Sequence, residues 1–189
     1  MNKKKISLTA LFFAAGILLL SGCASSLMMK VPPMDAPDDR HAVVTFMRPS
    51  FFGGAIQFGI WDSENFVGIL SAGSYVQYLA EPGEHLFLAR AENWSYVKAD
   101  LQGGKRYFIL GKVFPGVWKA RVAFDPITKN DGTTQAQIDE LITELKPTGV
   151  IPEKFDNYVK PRISHVKKAV DDFKSGNVKY EVLEADDNR

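Results

Sequence analysis

Chain breakers recur at short intervals through the middle of this sequence, and that spacing limits the fold more than any other feature. From His41 to Phe124 strand-like runs alternate with turn residues about every 8–12 positions. Pro49, Gly53-Gly54, Gly73, Pro82-Gly83, Gly103-Gly104 and Pro115-Gly116 all fall between runs. The candidate strands are Ala42–Arg48, Ala55–Asp62, Phe66–Leu70, Tyr75–Ala80, His85–Ala91, Trp94–Asp100, Arg106–Val113 and Val117–Phe124. In the last, period-two alternation puts Trp118, Ala120, Val122 and Phe124 on one face and Lys119 and Arg121 on the other. Strands joined by short turns pair antiparallel, because a parallel pair needs a longer crossover. The expected fold is therefore mainly β, an antiparallel β-sandwich of about seven or eight strands.

The period changes after Asp125-Pro126. Thr134 and Gln137 have capping-box spacing, and Ile138, Leu141, Ile142 and Leu145 follow at helical spacing, which predicts a helix over Thr134–Lys146. Pro147 and Gly149 end it. A second stripe of Val159, Ile163, Val166, Val170 and Phe173 predicts a helix from about Glu153 to Lys174, broken near Pro161. Val178–Leu183 has the composition of one more strand. Residues 153–189 carry eight basic and eight acidic side chains, the balance of a solvated face. The apolar stripes then belong against the β-body, as a C-terminal extension of two helices.

The beginning of the chain reads as an address. Lys3, Lys4 and Lys5 precede an apolar stretch from Ile6 to Leu20, too short for the ~20 residues of a spanning helix. Leu20-Ser21-Gly22-Cys23 then resembles the lipobox of bacterial lipoproteins, in which small residues precede a cysteine whose thiol takes a diacylglyceryl group. That resemblance implies cleavage before Cys23 and attachment to a membrane through acyl chains. In Gram-negative lipoproteins Asp after the cysteine is associated with inner-membrane retention. Ala24 stands there, which points to the outer membrane, facing the periplasm. Removing residues 1–22 takes away three lysines and no acidic residue. The remaining 20 basic and 22 acidic side chains give a formal −2, so the acyl chains alone would hold the protein to anionic lipid.

Four segments follow: a signal peptide over 1–22, a lipidated Pro-rich tether over 23–40, a β-sandwich over 41–125 and a helical extension over 126–189. Pro32, Pro33 and Pro37 with Asp35, Asp38 and Asp39 make Ala24–Arg40 an extended linker, with a reach of roughly 55–60 Å. Leu27, Met28, Met29 and Met34 are more apolar than a free tether requires, and suit contact with the membrane or the body.

Arg48-Pro49-Ser50, Val67-Gly68, Gly73-Ser74-Tyr75, Pro82-Gly83-Glu84-His85 and Gly104-Lys105-Arg106-Tyr107-Phe108 occur in that order. Together they resemble a family of uncharacterised bacterial lipoprotein domains, similar in pattern to the PEGA-type β-sandwich modules of surface proteins. The resemblance covers about Val43 to Phe124 and implies a fold and an address, but no activity. Where the family pattern has Asp-Gly in a hairpin, this chain has Asp62-Ser63-Glu64-Asn65, without the glycine that a tight two-residue turn favours.

Few residues point to chemistry. A formal net charge of +1 with no basic patch argues against nucleic acid. One cysteine excludes internal disulfides and a multi-cysteine zinc site. His41, His85 and His165 lack metal-ligand spacing, no Gly-x-Ser-x-Gly elbow occurs, and nothing calls for a cofactor. Asp35, Asp38, Asp39 and His41 read as solvated linker charge rather than a metal cluster. Asp62 with Glu64 is the candidate carboxylate pair for glycan cleavage, weighed against a plain polar turn. Trp61, Trp94 and Trp118 suit a sandwich core better than sugar stacking. The expected function is a non-catalytic, membrane-anchored binding or scaffolding module of the envelope. A cell-wall enzyme and a peptidoglycan- or glycan-binding module are the alternatives. Cys23 is the lipid-attachment residue. Phe51 and Phe52, set between Pro49 and Gly53-Gly54, are the candidate partner-surface residues.

Overall fold

A computed structural model describes residues 27–118 and 120–189. The signal peptide, Cys23 and Ala24 lie outside the described residues. The first strands in chain order are β1 (Met28–Lys30), β2 (Ala42–Arg48), β3 (Phe58–Asp62), β4 (Asn65–Leu70), β5 (Ser74–Ala80) and β6 (Gly83–Arg90). Then come β7 (Trp94–Leu101), β8 (Arg106–Pro115) and β9 (Ala120–Pro126). Helix α1 (Gln135–Glu144), strand β10 (Lys146–Val150), helices α2 (Phe155–Val159) and α3 (Ile163–Lys174), and strand β11 (Glu181–Leu183) complete the described chain.

The protein is mainly β, with two mixed sheets in the orders β1-β10-β5-β2-β8-β9 and β11-β7-β6-β3-β4. The eight runs marked out by the breakers form four contiguous strands in each sheet, β5-β2-β8-β9 and β7-β6-β3-β4. Val44, Phe46, Ile109 and Phe124 of one sheet meet Phe58, Ile60, Phe87 and Val97 of the other in a common core. Phe46 packs edge-on against Phe87, with ring centroids 5.2 Å apart. Helices cover the outer faces. Ile138 and Leu145 of the α1 region pack on Met47, Tyr75 and Phe108. Val166, Ala169 and Val170 of α3 pack on Trp61, Leu86, Leu88 and Tyr96. The result is four layers, helix–sheet–sheet–helix. Strand β2 is buried on both faces along its whole length because it is central to one sheet and covered on each side.

Several expectations are corrected. The sheets are not wholly antiparallel: β2 pairs parallel with β8, β10 with β5 and β11 with β7. The short-turn rule governs sequential neighbours only. The chain between β2 and β8 crosses to the other sheet and back, so no hairpin sets their relative direction. Eleven strands are described rather than seven or eight, because β1, β10 and β11 add to sheet edges. The extension holds three α-helices rather than two. Pro161 lies in the turn between α2 and α3, and the last strand-like stretch of the tail shrinks to Glu181–Leu183. Helix α1 has the expected capping box: Thr134 accepts from the Gln137 N–H and Gln137 reaches back to the Thr134 N–H. The hairpin between β3 and β4 is a two-residue turn despite lacking glycine. Ser63 takes φ 49°, and its N–H donates to the Leu86 carbonyl at 2.7 Å, so the neighbouring strand holds the conformation.

The segment expected to be a linker lies on the body from Leu27 onward. Met28 to Lys30 pair antiparallel with Val150 to Thr148, and the Met34 N–H donates to Gln77 Oε1 at 2.7 Å. Farther along, the Gly104 N–H donates to the carbonyls of Asp38 and His41. Backbone approaches so closely here that a Cβ on Gly103 would sit 1.9 Å from the Asp39 carbonyl oxygen, which only glycine permits.

Candidate functional site

Because β2 and β8 run parallel side by side, the loop after β2 and the hairpin after β8 leave the molecule at the same end. Gly53 confirms the proximity: a Cβ there would lie 3.0 Å from Val113 Cγ1. Phe51, Phe52, Phe114, Val117 and Trp118 are all exposed at this end, with Phe51 at 76%, Phe52 at 59% and Trp118 at 91%. Large apolar side chains gathered on exposed loops mark interaction surfaces more often than scattered ones do.

The loop bearing the two phenylalanines has a defined anchor. Arg48, fully buried at the end of β2, donates from Nη2 to the Phe52 and Gly53 carbonyls at 3.0 and 2.8 Å, and from Nη1 to the Ile56 carbonyl. Burial lowers its pKa, and among the described residues no carboxylate pairs with it. The guanidinium holds the loop through backbone oxygens. Ser50 adds a turn by accepting from the Phe52 N–H at 3.2 Å. Phe51 leans over Gly73, where a Cβ would come within 2.8 Å of its ring.

Sequence reasoning found Phe51 and Phe52 but missed Arg48, Phe114, Val117 and Trp118. Trp118 belongs to the β8–β9 turn, since β9 begins only at Ala120; it is not on the strand's core face. The Pro115-Gly116 pair just before it was the available signal. Of the other tryptophans, Trp61 is buried and Trp94 half-buried.

Asp62, Tyr78 and His85 meet near the opposite end. His85 Nδ1 lies 2.7 Å from Asp62 Oδ2, which also accepts from the Tyr78 hydroxyl at 3.0 Å. His85 Nε2 lies 2.8 Å from the Glu81 carbonyl. A carbonyl only accepts, so Nε2 carries a proton. An imidazolium ring also donates from Nδ1 to Asp62 Oδ2, so the pairing favours the protonated form. The bond to Asp62 raises the His85 pKa above the ordinary 6.5, against the effect of burial. Burial, helped by the Asp62 charge, pushes the Tyr78 phenol up to about 12. Both ring nitrogens are engaged within the fold. Asp62 and Glu64 have different partners: Asp62 is held by His85 and Tyr78, whereas exposed Glu64 faces Lys167 at 3.6 Å. His41 binds Asp38 at 2.7 Å, and His165 is exposed on α3. Arg40 and His41 together hold the Asp38 carboxyl down to about 2.

Among the described residues no group of three or more metal-ligating side chains gathers, and no helix is long and apolar enough to cross a membrane. Comparison with protein-family models, curated proteins and solved structures finds no match for this chain.

Proposed function

We infer that the chain is a lipid-anchored envelope protein whose β-rich body binds a partner protein through the Phe51–Trp118 end and performs no chemistry itself. The address rests on the basic start, the short apolar stretch and Leu20-Ser21-Gly22-Cys23. With Ala24 after the cysteine, the favoured site is the outer membrane, facing the periplasm. The finer description, a β-sandwich module akin to those of bacterial surface proteins, rests on the turn motifs from Arg48-Pro49-Ser50 to Gly104-Lys105-Arg106-Tyr107-Phe108.

One observation carries the binding role. The loop after β2 and the β8–β9 hairpin bring five large apolar side chains to one end, and a buried arginine fixes the first of these. Aromatic residues on a prearranged loop lose little entropy on binding, which is how interface anchors gain affinity. Photo-crosslinkers at positions 52 and 118 in intact cells test the role. The expected result is one shared adduct from both positions and none from Glu153, which is exposed on the tail. Replacing Phe51 and Phe52 by Ser should remove the adduct from position 118 while moving the melting temperature by no more than about 2 °C. Absence of an adduct from both positions, or the same adduct from all three, overturns it.

Glycan stacking has a specific observation of its own, the exposure of Trp118. Quenching of tryptophan emission by muropeptides, lost in Trp118→Ala, would favour that reading over a protein partner.

A further inference from the structure

A second surface feature has a different chemistry. Between the outer face of β3 and β6 and the α2–α3 turn lies a cavity of about 310 Å³. Gly59 is part of its floor, Trp61, Trp94 and Tyr158 are among its walls, and Arg90 and Arg162 carry its charge. No carboxylate lines it.

The polar atoms converge. A Cβ on Gly59 would lie 2.8 Å from the Tyr158 hydroxyl oxygen and 3.1 Å from Trp61 Nε1, so a phenol and an indole N–H gather over one glycine. Trp61 is only 2% exposed as a residue, and its indole edge lines the cavity beside Tyr158. The indole N–H, the phenol and the two guanidiniums make the side chains lining this cavity chiefly hydrogen-bond donors.

The two arginines are held in position without neutralisation. Arg90 lies over the Trp94 ring at 5.2 Å. Arg162 lies over the Tyr158 ring at 3.9 Å and donates from Nη1 to the Tyr158 carbonyl at 3.0 Å. Neither has an acidic partner within ion-pair distance among the described residues. Both charges reach the Tyr158 hydroxyl, opposing the upward push of burial on its pKa. Arg162 is also the N-cap residue of the 12-residue helix α3, whose first turn has no acidic side chain and no side-chain cap. The positive end of that helix adds to the same field.

Two guanidiniums without a carboxylate partner, an indole N–H and a phenol, set among aromatic walls, suit one ligand class. We propose that this cavity binds a small oxyanion-bearing ligand. A carboxylate or phosphate sits between Arg90 and Arg162 and accepts from Trp61 Nε1, and the ligand's apolar part lies against Trp61 and Trp94. Arginine forks match both oxyanions in planar geometry. A volume of about 310 Å³ exceeds what a bare anion fills and leaves room for about one ring. This site does not depend on the partner surface, which lies on other loops.

The test is a titration of the purified soluble chain from Leu27 to Arg189, followed through the indole N–H resonances, with inorganic phosphate and benzoate as probes. Trp61→Phe assigns the Trp61 signal. Saturable movement of that signal with at least one probe is expected, weakening as salt rises. Saturation by benzoate at far lower concentration than phosphate would identify a ring carboxylate, and the reverse a phosphate group. Arg90→Gln and Arg162→Gln should each raise the apparent Kd about tenfold or more. Arg40→Gln, at an exposed arginine paired with Asp38, should leave it unchanged. Melting curves confirm that each variant folds. If an arginine variant fails to fold, the salt dependence and Trp61 shift of the parent chain decide. A Trp61 resonance that neither probe moves, or a shift equal in the parent and both cavity variants, overturns the proposal.

Discussion

Arg48 shows how one side chain can organise a surface it does not reach. Its guanidinium is fully buried, and its acceptors are three backbone carbonyls of the loop that presents Phe51 and Phe52. Arg48→Met keeps much of the aliphatic packing but leaves those carbonyls without a donor, at a cost of roughly 2–4 kcal/mol. Urea unfolding should show the loss, and limited proteolysis should cut between residues 50 and 57 faster than in the parent. Nothing in the sequence separated this arginine from a surface one, because backbone acceptors leave no mark in the residue pattern. Arg48-Pro49-Ser50 was legible only as the end of a strand. His85 gives a pH-dependent prediction. Its folded pKa is raised above 6.5, so the folded protein binds the proton more tightly than the unfolded chain. That stabilisation is complete below about pH 6.5 and lost as pH rises through the folded-state value. Melting temperature should therefore fall across neutral to mildly alkaline pH, and His85→Gln should flatten that fall. Asp62, singled out as a catalytic candidate, instead partners His85; the two are 23 residues apart in sequence, and only the register of β3 with β6 joins them.

Element by element, the breakers were a good guide to where strands lie and a poor one to how they pair. The eight expected strands form four contiguous strands of each sheet, with β9 and β4 at the far edges, and β2 has the expected ends. The missed strands are short edge additions. β10 reads Lys-Pro-Thr-Gly-Val, with two residues that weaken strand formation, and β11 has three residues. Each forms because an open edge, β5 or β7, accepts its backbone. That property comes from the assembled sheet, not from local sequence. The edges also predict what truncation does. Ending the chain after Asp125 removes β10, β11 and all three described α-helices. It uncovers the Met47–Tyr75–Phe108 face and the Trp61–Leu86–Leu88–Tyr96 face together. The expected product binds hydrophobic dye strongly and elutes as an aggregate. A monomer from 41–125 with a cooperative melt as high as the full chain would make the tail a separate unit.

At the scale of the whole molecule, the proposed anchoring gives a direct test. Cys23→Ala should abolish palmitate incorporation and move the protein from the outer-membrane fraction to an unprocessed or soluble form. A variant that still takes up label and still fractionates with that membrane would defeat the lipoprotein reading. The docking of β1 then determines how far the anchored body can roam. Seventeen linker residues would have allowed roughly 55–60 Å. With Met28–Lys30 paired to β10, only four residues, from Cys23 to Ser26, separate the proposed lipidation site from Leu27, a reach of about 14 Å. The volume this leash can sweep shrinks with the cube of its length, roughly sixtyfold, and the effective concentration beside the bilayer rises by the same factor. A target embedded in or lying on the membrane meets the protein at high local concentration, while one a tether's length away is out of range.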